Sequence, residues 1–196
     1  MSKLPEFIIQ RSQSLPEGEV LSPREFLSLG SRAAVDQAFS RLAKSGKLMR
    51  ICRGMYVAPV KSRFGTRAPE PEKVVQALAE KTSETVTSSG ARAANNLGLT
   101  QQVPVRQVFL TSGRARTLKI GKAEIQIKHA PKWMVAPSAA GEAVRALAWL
   151  GETQSEDSIQ TLHRRLSESE WSRLMSLRAV LPSWMGAMIG REALHA

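Results

Sequence analysis

The segment Ser31–Pro59, SRAAVDQAFSRLAKSGKLMRICRGMYVAP, constrains this chain more than any other. Ser31 stands where a helix N-cap belongs, because its hydroxyl can accept from a backbone N–H of the first turn. Val35, Ala38, Phe39 and Leu42 recur at helical spacing, so RAAVDQAFSRLAKS predicts an amphipathic helix with that face inward. Gly46 closes it, since glycine adopts the left-handed conformation in which helices commonly end. Behind it, KLMRICRGMYVAP reads as two short strands around an Arg53-Gly54 turn, with Leu48, Ile51, Met55, Tyr56 and Val57 offering apolar contacts.

The preceding residues set the order of elements. Pro5 to Ser14 predicts a helix with Phe7, Ile8 and Leu15 available to its inner side, ended by Pro16 and Gly18. Glu19-Val20-Leu21 is short and extended. Ser22 caps a helix PREFLSL whose first position is Pro23, where a missing N–H costs nothing, and Gly30 is expected as its left-handed terminator. Two helices joined by a short turn make a helix-turn-helix candidate, and a hairpin directly after the second helix is the wing of a winged helix.

Charge supports that order. The chain carries 28 Lys+Arg against 17 Asp+Glu, a formal net charge of +11. Between Arg32 and Arg67, nine cations face a single acid, Asp36. A solvated face usually mixes signs, so this stretch points to a polyanion. A helical wheel alone would leave an ordinary surface helix equally open. The hairpin and the charge together favour duplex DNA. On the outward side stand Ala33, Gln37, Ser40, Arg41 and Lys44, with nothing bulky to block a major groove. Ser31, Arg32, Ala33, Asp36 and Gln37 lie on the first turns, which usually enter deepest. Gln37 suits a bidentate contact to adenine and Arg32 one to guanine, while Arg41, Lys44, Lys47, Arg50 and Arg53 suit phosphates.

Past this head, residues 61–71 read as a linker rich in Pro, Gly and charge. Glu72 to Lys81 predicts a helix, Thr85-Val86-Thr87 a brief strand, and GARAANNL a helix capped by Ser88 or Ser89 and ended by Gly98. Arg106 to Thr111, Thr117 to Ile120 and Ala123 to His129 alternate as strands do, with a tight turn at Gly121-Lys122. After Pro137 the pattern is helical to the end, closing on WMGAMIGREAL, an apolar piece suited to its own core or to a partner. The expected fold class is thus α+β: a winged helix-turn-helix domain at 1–60, a linker at 61–71, and an α+β domain at 72–196 with a helical C-terminus.

Other classes are excluded by what the residues lack. Hydrophobic content of 42% and charged content of 23% are those of a folded chain. Cys52 is the only cysteine, so neither a disulfide framework nor a CxxC zinc site can be built. No apolar run reaches the roughly 18 residues of a membrane span. MSKLPEFIIQRSQSLPEG carries charge through its apolar stretch and lacks a small-residue cleavage site, so it is not expected to be a signal peptide, and the cytoplasm is the expected compartment. His129, His163 and His195 are scattered without metal-ligand spacing. There is no G-x-S-x-G, P-loop or G-x-G-x-x-G. Glu156-Asp157 and Glu168/Glu170 read as helix N-terminal acids rather than a catalytic pair. An enzyme is not expected, nor is a cofactor.

GSRAAVDQAFSRLAKSGKLMRICRGMYVAP resembles the winged-helix start of the AbiEi-type antitoxins and regulators of bacterial type IV toxin–antitoxin systems. SSGARAANNLGLTQQVPVRQVFLTSG and LKIGKAEIQIKHAP resemble the second domain of one branch of that family, so the resemblance runs from about Val20 to Lys132. It implies a repressor that binds inverted repeats in its own promoter. It also implies a C-terminal domain that counters a nucleotidyltransferase-like toxin, without an obligatory stable complex. The other reading is a stand-alone regulator or mobile-element accessory protein whose second domain makes protein contacts.

Overall fold

The computed structural model describes residues 4–194. It is a mixed α+β structure with a helical C-terminal region. The chain forms two compact units, one of residues 1–84 with 116–126, the other of residues 85–115 with 127–196.

In the first unit, α1 (Leu4–Ser14) is followed by β1 (Val20–Leu21), a 3-10 helix Pro23–Leu29, α2 (Arg32–Lys44), β2 (Met49–Cys52) and β3 (Met55–Val57). Strand order is β1-β3-β2. Both pairings are antiparallel, with Tyr56 of β3 flanked by Leu21 on one side and Arg50 on the other. The register shifts between Arg50 and Cys52, a bulge that adds local twist. Ile8, Leu21, Phe26, Val35, Phe39, Leu42, Leu48 and Tyr56 form the core. Phe26, Phe39 and Tyr56 meet ring to ring, at centroid distances of 5.3 and 4.9 Å.

Three local expectations change. PREFLSL is a 3-10 helix rather than an α-helix, held at its start by a capping box in which Ser22 and Glu25 satisfy each other's backbone N–H. Gly30, expected to be left-handed, is extended at φ 172°, because the next helix starts with its own cap at Ser31 and needs no reversal. Phe7, expected inside, is 48% exposed and meets Phe26 only edge-on at 6.4 Å.

Residues 61–71, read as a linker, hold ordered strands. β4 (Val60–Ser62) and β5 (Gly65–Arg67) pair as an antiparallel hairpin, and α3 (Pro71–Thr82) follows. One carboxylate anchors the foot of this hairpin. Glu17 accepts from Arg67 at 2.8 Å, from the Glu70 N–H at 3.1 Å and from Lys73 at 3.0 Å. These partners hold its pKa down at about 2, from an ordinary 4.5, with the Arg67 hydrogen bond the largest cause.

A carboxyl depressed on folding stabilises at pH above its unfolded value, and that contribution disappears as pH falls through the folded one. Glu17→Gln should therefore lower stability at pH 7 by about 1–2 kcal/mol, after discounting for partners that are half exposed. The gap from the wild type should close between pH 4.5 and about 2. Paired thermal melts across that range check it, and a gap unchanged at pH 2 would contradict it.

The same unit takes in β8 (Arg116–Ile120) and the start of β9 (Ala123–His129), a hairpin that turns at Gly121-Lys122 and packs through β8 against β2. Arg116 fixes it with a bidentate pair to Glu84 at 2.9 and 2.7 Å.

In the second unit, β6 (Val86–Ser88) pairs antiparallel with β7 (Gln107–Thr111). Ser89, the second of the two expected caps, starts α4 (Gly90–Asn96). The helical part comprises α5 (Ala139–Leu150), α6 (Glu152–Arg165), α7 (Glu168–Ser176) and α8 (Ser183–Leu194). Their core gathers Val144, Leu147, Leu162, Leu174, Met185, Met188 and Ile189. The apolar terminal piece thus buries Met185, Met188 and Ile189 in the core of its own unit.

Candidate nucleic-acid interface

The interface begins with how α2 is bounded. The Ser31 hydroxyl oxygen accepts from the Ala34 N–H at 3.3 Å, which fixes where the helix starts. At the other end Gly46, at φ +71°, lets its own N–H reach the Ala43 carbonyl at 3.1 Å and the Lys47 N–H reach the Leu42 carbonyl at 3.0 Å. That is a Schellman turn, and it requires a residue at ease in the left-handed region. The Leu48 N–H also bonds the Leu42 carbonyl, at 3.1 Å, so β2 leaves directly from the last turn of the helix.

With its ends fixed, the helix divides as its periodicity requires. Val35, Ala38, Phe39 and Leu42 are buried. Arg32, Ala33, Gln37, Ser40, Arg41 and Lys44 are exposed, and Asp36 is half-buried. Lys47, Arg50 and Arg53 are exposed on the turn and strands that follow. All the residues expected to face DNA belong to the first unit and lie on its surface.

Contacts sort these side chains by what they are free to do. Arg32 Nε donates to Asp36 Oδ2 at 2.7 Å, a pair one helical turn apart. The one acid of the stretch is thereby neutralised, and Arg32 reaches a base only by leaving Asp36 or by using its remaining N–H groups. Arg50 Nε donates to the Cys52 carbonyl at 3.3 Å. Among the described residues, the side chains of Gln37, Arg41, Lys44, Lys47 and Arg53 make no hydrogen bond or ion pair. They are the groups a ligand meets unoccupied. Lys47 also lines a groove of about 560 Å³ together with Gln13, Pro16, Pro59, Lys61 and Thr66.

Sequence reasoning missed the β4–β5 hairpin, which adds Lys61, Arg63 and Phe64 to the exposed surface of this unit. Nothing local announces it, because its two-residue turn is Arg63-Phe64 rather than an Asn-Gly or Asp-Gly pair.

Cys52 is half-buried, and burial pushes its thiol pKa up against the pull of Arg116 and Arg50. His163 stacks on Trp171 at 4.0 Å and bonds Glu192 at 3.1 Å, and His129 bonds the Gly113 carbonyl at 2.8 Å. His195 lies outside the described residues. Glu168 and Glu170 do start a helix, but Glu156 and Asp157 sit inside α6, which begins earlier than expected at Glu152. Among the described residues, no three His, Cys, Asp or Glu side chains gather as a metal site, and no helix is long and apolar enough to cross a membrane.

A family model described as "Family of unknown function (DUF6088)" matches residues 7–172, most of the chain, and the chain belongs to that family. No curated protein and no solved structure matches it.

Proposed function

We propose that this DUF6088 protein is a sequence-specific DNA-binding repressor whose first unit is a winged helix. The observation that carries the reading is the outer face of α2. Gln37, Arg41 and Lys44 stand exposed and unoccupied there, and the stretch's only acid is already paired with Arg32. Support also comes from the β1-β3-β2 sheet order, which follows the helices as the sheet of a winged helix does. In this reading α2 enters the major groove and Gln37 reads an adenine. Arg41, Lys44, Lys47, Arg50 and Arg53 hold phosphates on either side.

The antitoxin role rests on the resemblance of the second-unit strings to AbiEi-type proteins. The protein would then bind promoter inverted repeats in the cytoplasm, repress its own operon and counter a nucleotidyltransferase-like toxin encoded beside it.

The DNA-binding claim is tested with the full chain by selection from a random duplex pool, followed by gel retardation at several salt concentrations. The triple variant Arg41→Ala/Lys44→Ala/Lys47→Ala should weaken every duplex alike. Its log–log salt slope should be shallower by about 0.9 for each phosphate that is no longer neutralised. Gln37→Ala should instead narrow the gap between the selected and random duplexes by about 1–3 kcal/mol. Unchanged binding by both variants would overturn the assignment. Co-expression with an adjoining nucleotidyltransferase-like reading frame tests the antitoxin role, which predicts relief of toxicity.

A further inference from the structure

The β4–β5 hairpin ends in an aromatic ring held out into solvent. Phe64 is 84% exposed. A lone exposed aromatic is ordinary on a protein surface. The setting of this one is not. The turn is clamped by a single side chain: the Ser62 hydroxyl accepts from the Phe64 N–H at 3.3 Å and donates to the Gly65 carbonyl at 3.1 Å. The guanidinium of Arg63 lies 4.6 Å from the ring centroid. The foot of the hairpin is fixed through Arg67 to Glu17 at 2.8 Å. The turn that carries the ring is therefore held in place before any ligand arrives, which reduces the entropy cost of using it.

The surroundings name the ligand. From Val60 to Pro69 the chain contains Lys61, Arg63 and Arg67 and no acid. A protein partner would want apolar neighbours around an aromatic anchor, and here the flanking residues are cationic or polar. A polyanion built of stacked flat rings matches both parts, with phosphates for Lys61 and Arg63 and a base step for Phe64. Lys61 also lines the same groove as Lys47, which joins the hairpin to the cationic surface at the end of α2.

We propose that the β4–β5 hairpin is a second DNA-contacting element that inserts Phe64 as an apolar wedge between base pairs of duplex DNA from the minor groove. Lys61 and Arg63 grip the adjacent phosphates. This rests on the DNA-binding reading above and adds a deformation of the DNA to it. Partial unstacking at one step kinks a duplex that is otherwise stiff over about 150 base pairs.

The test is ligase-catalysed ring closure of a mixed-sequence duplex of about 120 base pairs, shorter than the persistence length, with and without the full chain at low salt. The wild type should raise the yield of circles about tenfold, as expected of a kinking wedge. Phe64→Ala should abolish that gain while still retarding the duplex, and Phe64→Leu, which keeps an apolar wedge, should retain it. Circles formed equally well with Phe64→Ala would overturn the wedge and leave the reading of α2 intact. So would a Phe64→Ala defect confined to a single-stranded oligothymidylate. Failure of the wild type to retard any duplex would overturn both.

Discussion

Phe39→Ala is expected to cost the first unit about 3–5 kcal/mol, a large part of the stability of an ordinary domain. Phe39 is completely buried, and its ring lies 5.3 Å from Phe26 and 4.9 Å from Tyr56. It therefore ties α2 to the 3-10 helix on one side and to β3 on the other. Truncation removes the apolar area and leaves a void between aromatic neighbours too large to close over it. It also removes two aromatic contacts worth about 0.5–1.5 kcal/mol each beyond burial. The measurement is native-state hydrogen exchange of α2 and β3 amides against urea. Protection of these amides should fall together, and unchanged protection would show that the ring does not hold these elements. On the proposed DNA-binding reading, retardation should fall with it, although Phe39 is buried in the core.

Gly90→Val should destabilise the second unit by about 3 kcal/mol, at the upper end of ordinary overpacking. A Cβ at Gly90 would lie 2.5 Å from the Arg145 carbonyl oxygen and 2.6 Å from Trp149 Cβ. The first obstacle is backbone and cannot rotate aside. Ala93, Ala94 and Ala146 are completely buried around the same junction, so α4 and α5 approach through small residues and have no slack. Forcing them apart would also disturb Arg145. Its buried guanidinium donates to the carbonyls of Met134 and Ala136 at 3.1 and 2.9 Å, and burial lowers its pKa. All four tryptophans (Trp133, Trp149, Trp171 and Trp184) belong to this unit, so the urea midpoint of tryptophan emission reads the effect directly. A midpoint equal to that of the wild type would refute the close-approach argument.

Legibility followed the range of the interactions. The N-cap at Ser31, the inner face Val35, Ala38, Phe39 and Leu42, and the exposure of Gln37, Arg41 and Lys44 are consequences of neighbours within one or two helical turns. The Arg53-Gly54 turn is equally local. The foot of the β4–β5 hairpin, by contrast, depends on Glu17, fifty positions from Arg67. A stretch of Pro, Gly and charge looks the same whether or not such a partner waits for it. Glu156 and Asp157 differ from expectation for a smaller reason: α6 already starts at Glu152, which moves both acids from its first turn into its interior.

The sequence by itself determined the order of helices and strands from α1 to β3, the buried and open sides of α2, and the one-signed charge around it. Capping, periodicity and formal charge act between residues close in the chain. The tertiary structure alone decided that residues 60–67 form an anchored hairpin with Phe64 at its tip, that β8 packs against β2, and that Met185, Met188 and Ile189 close a core. Those outcomes depend on which distant surfaces meet, and pairing of that kind leaves no periodic trace in either partner.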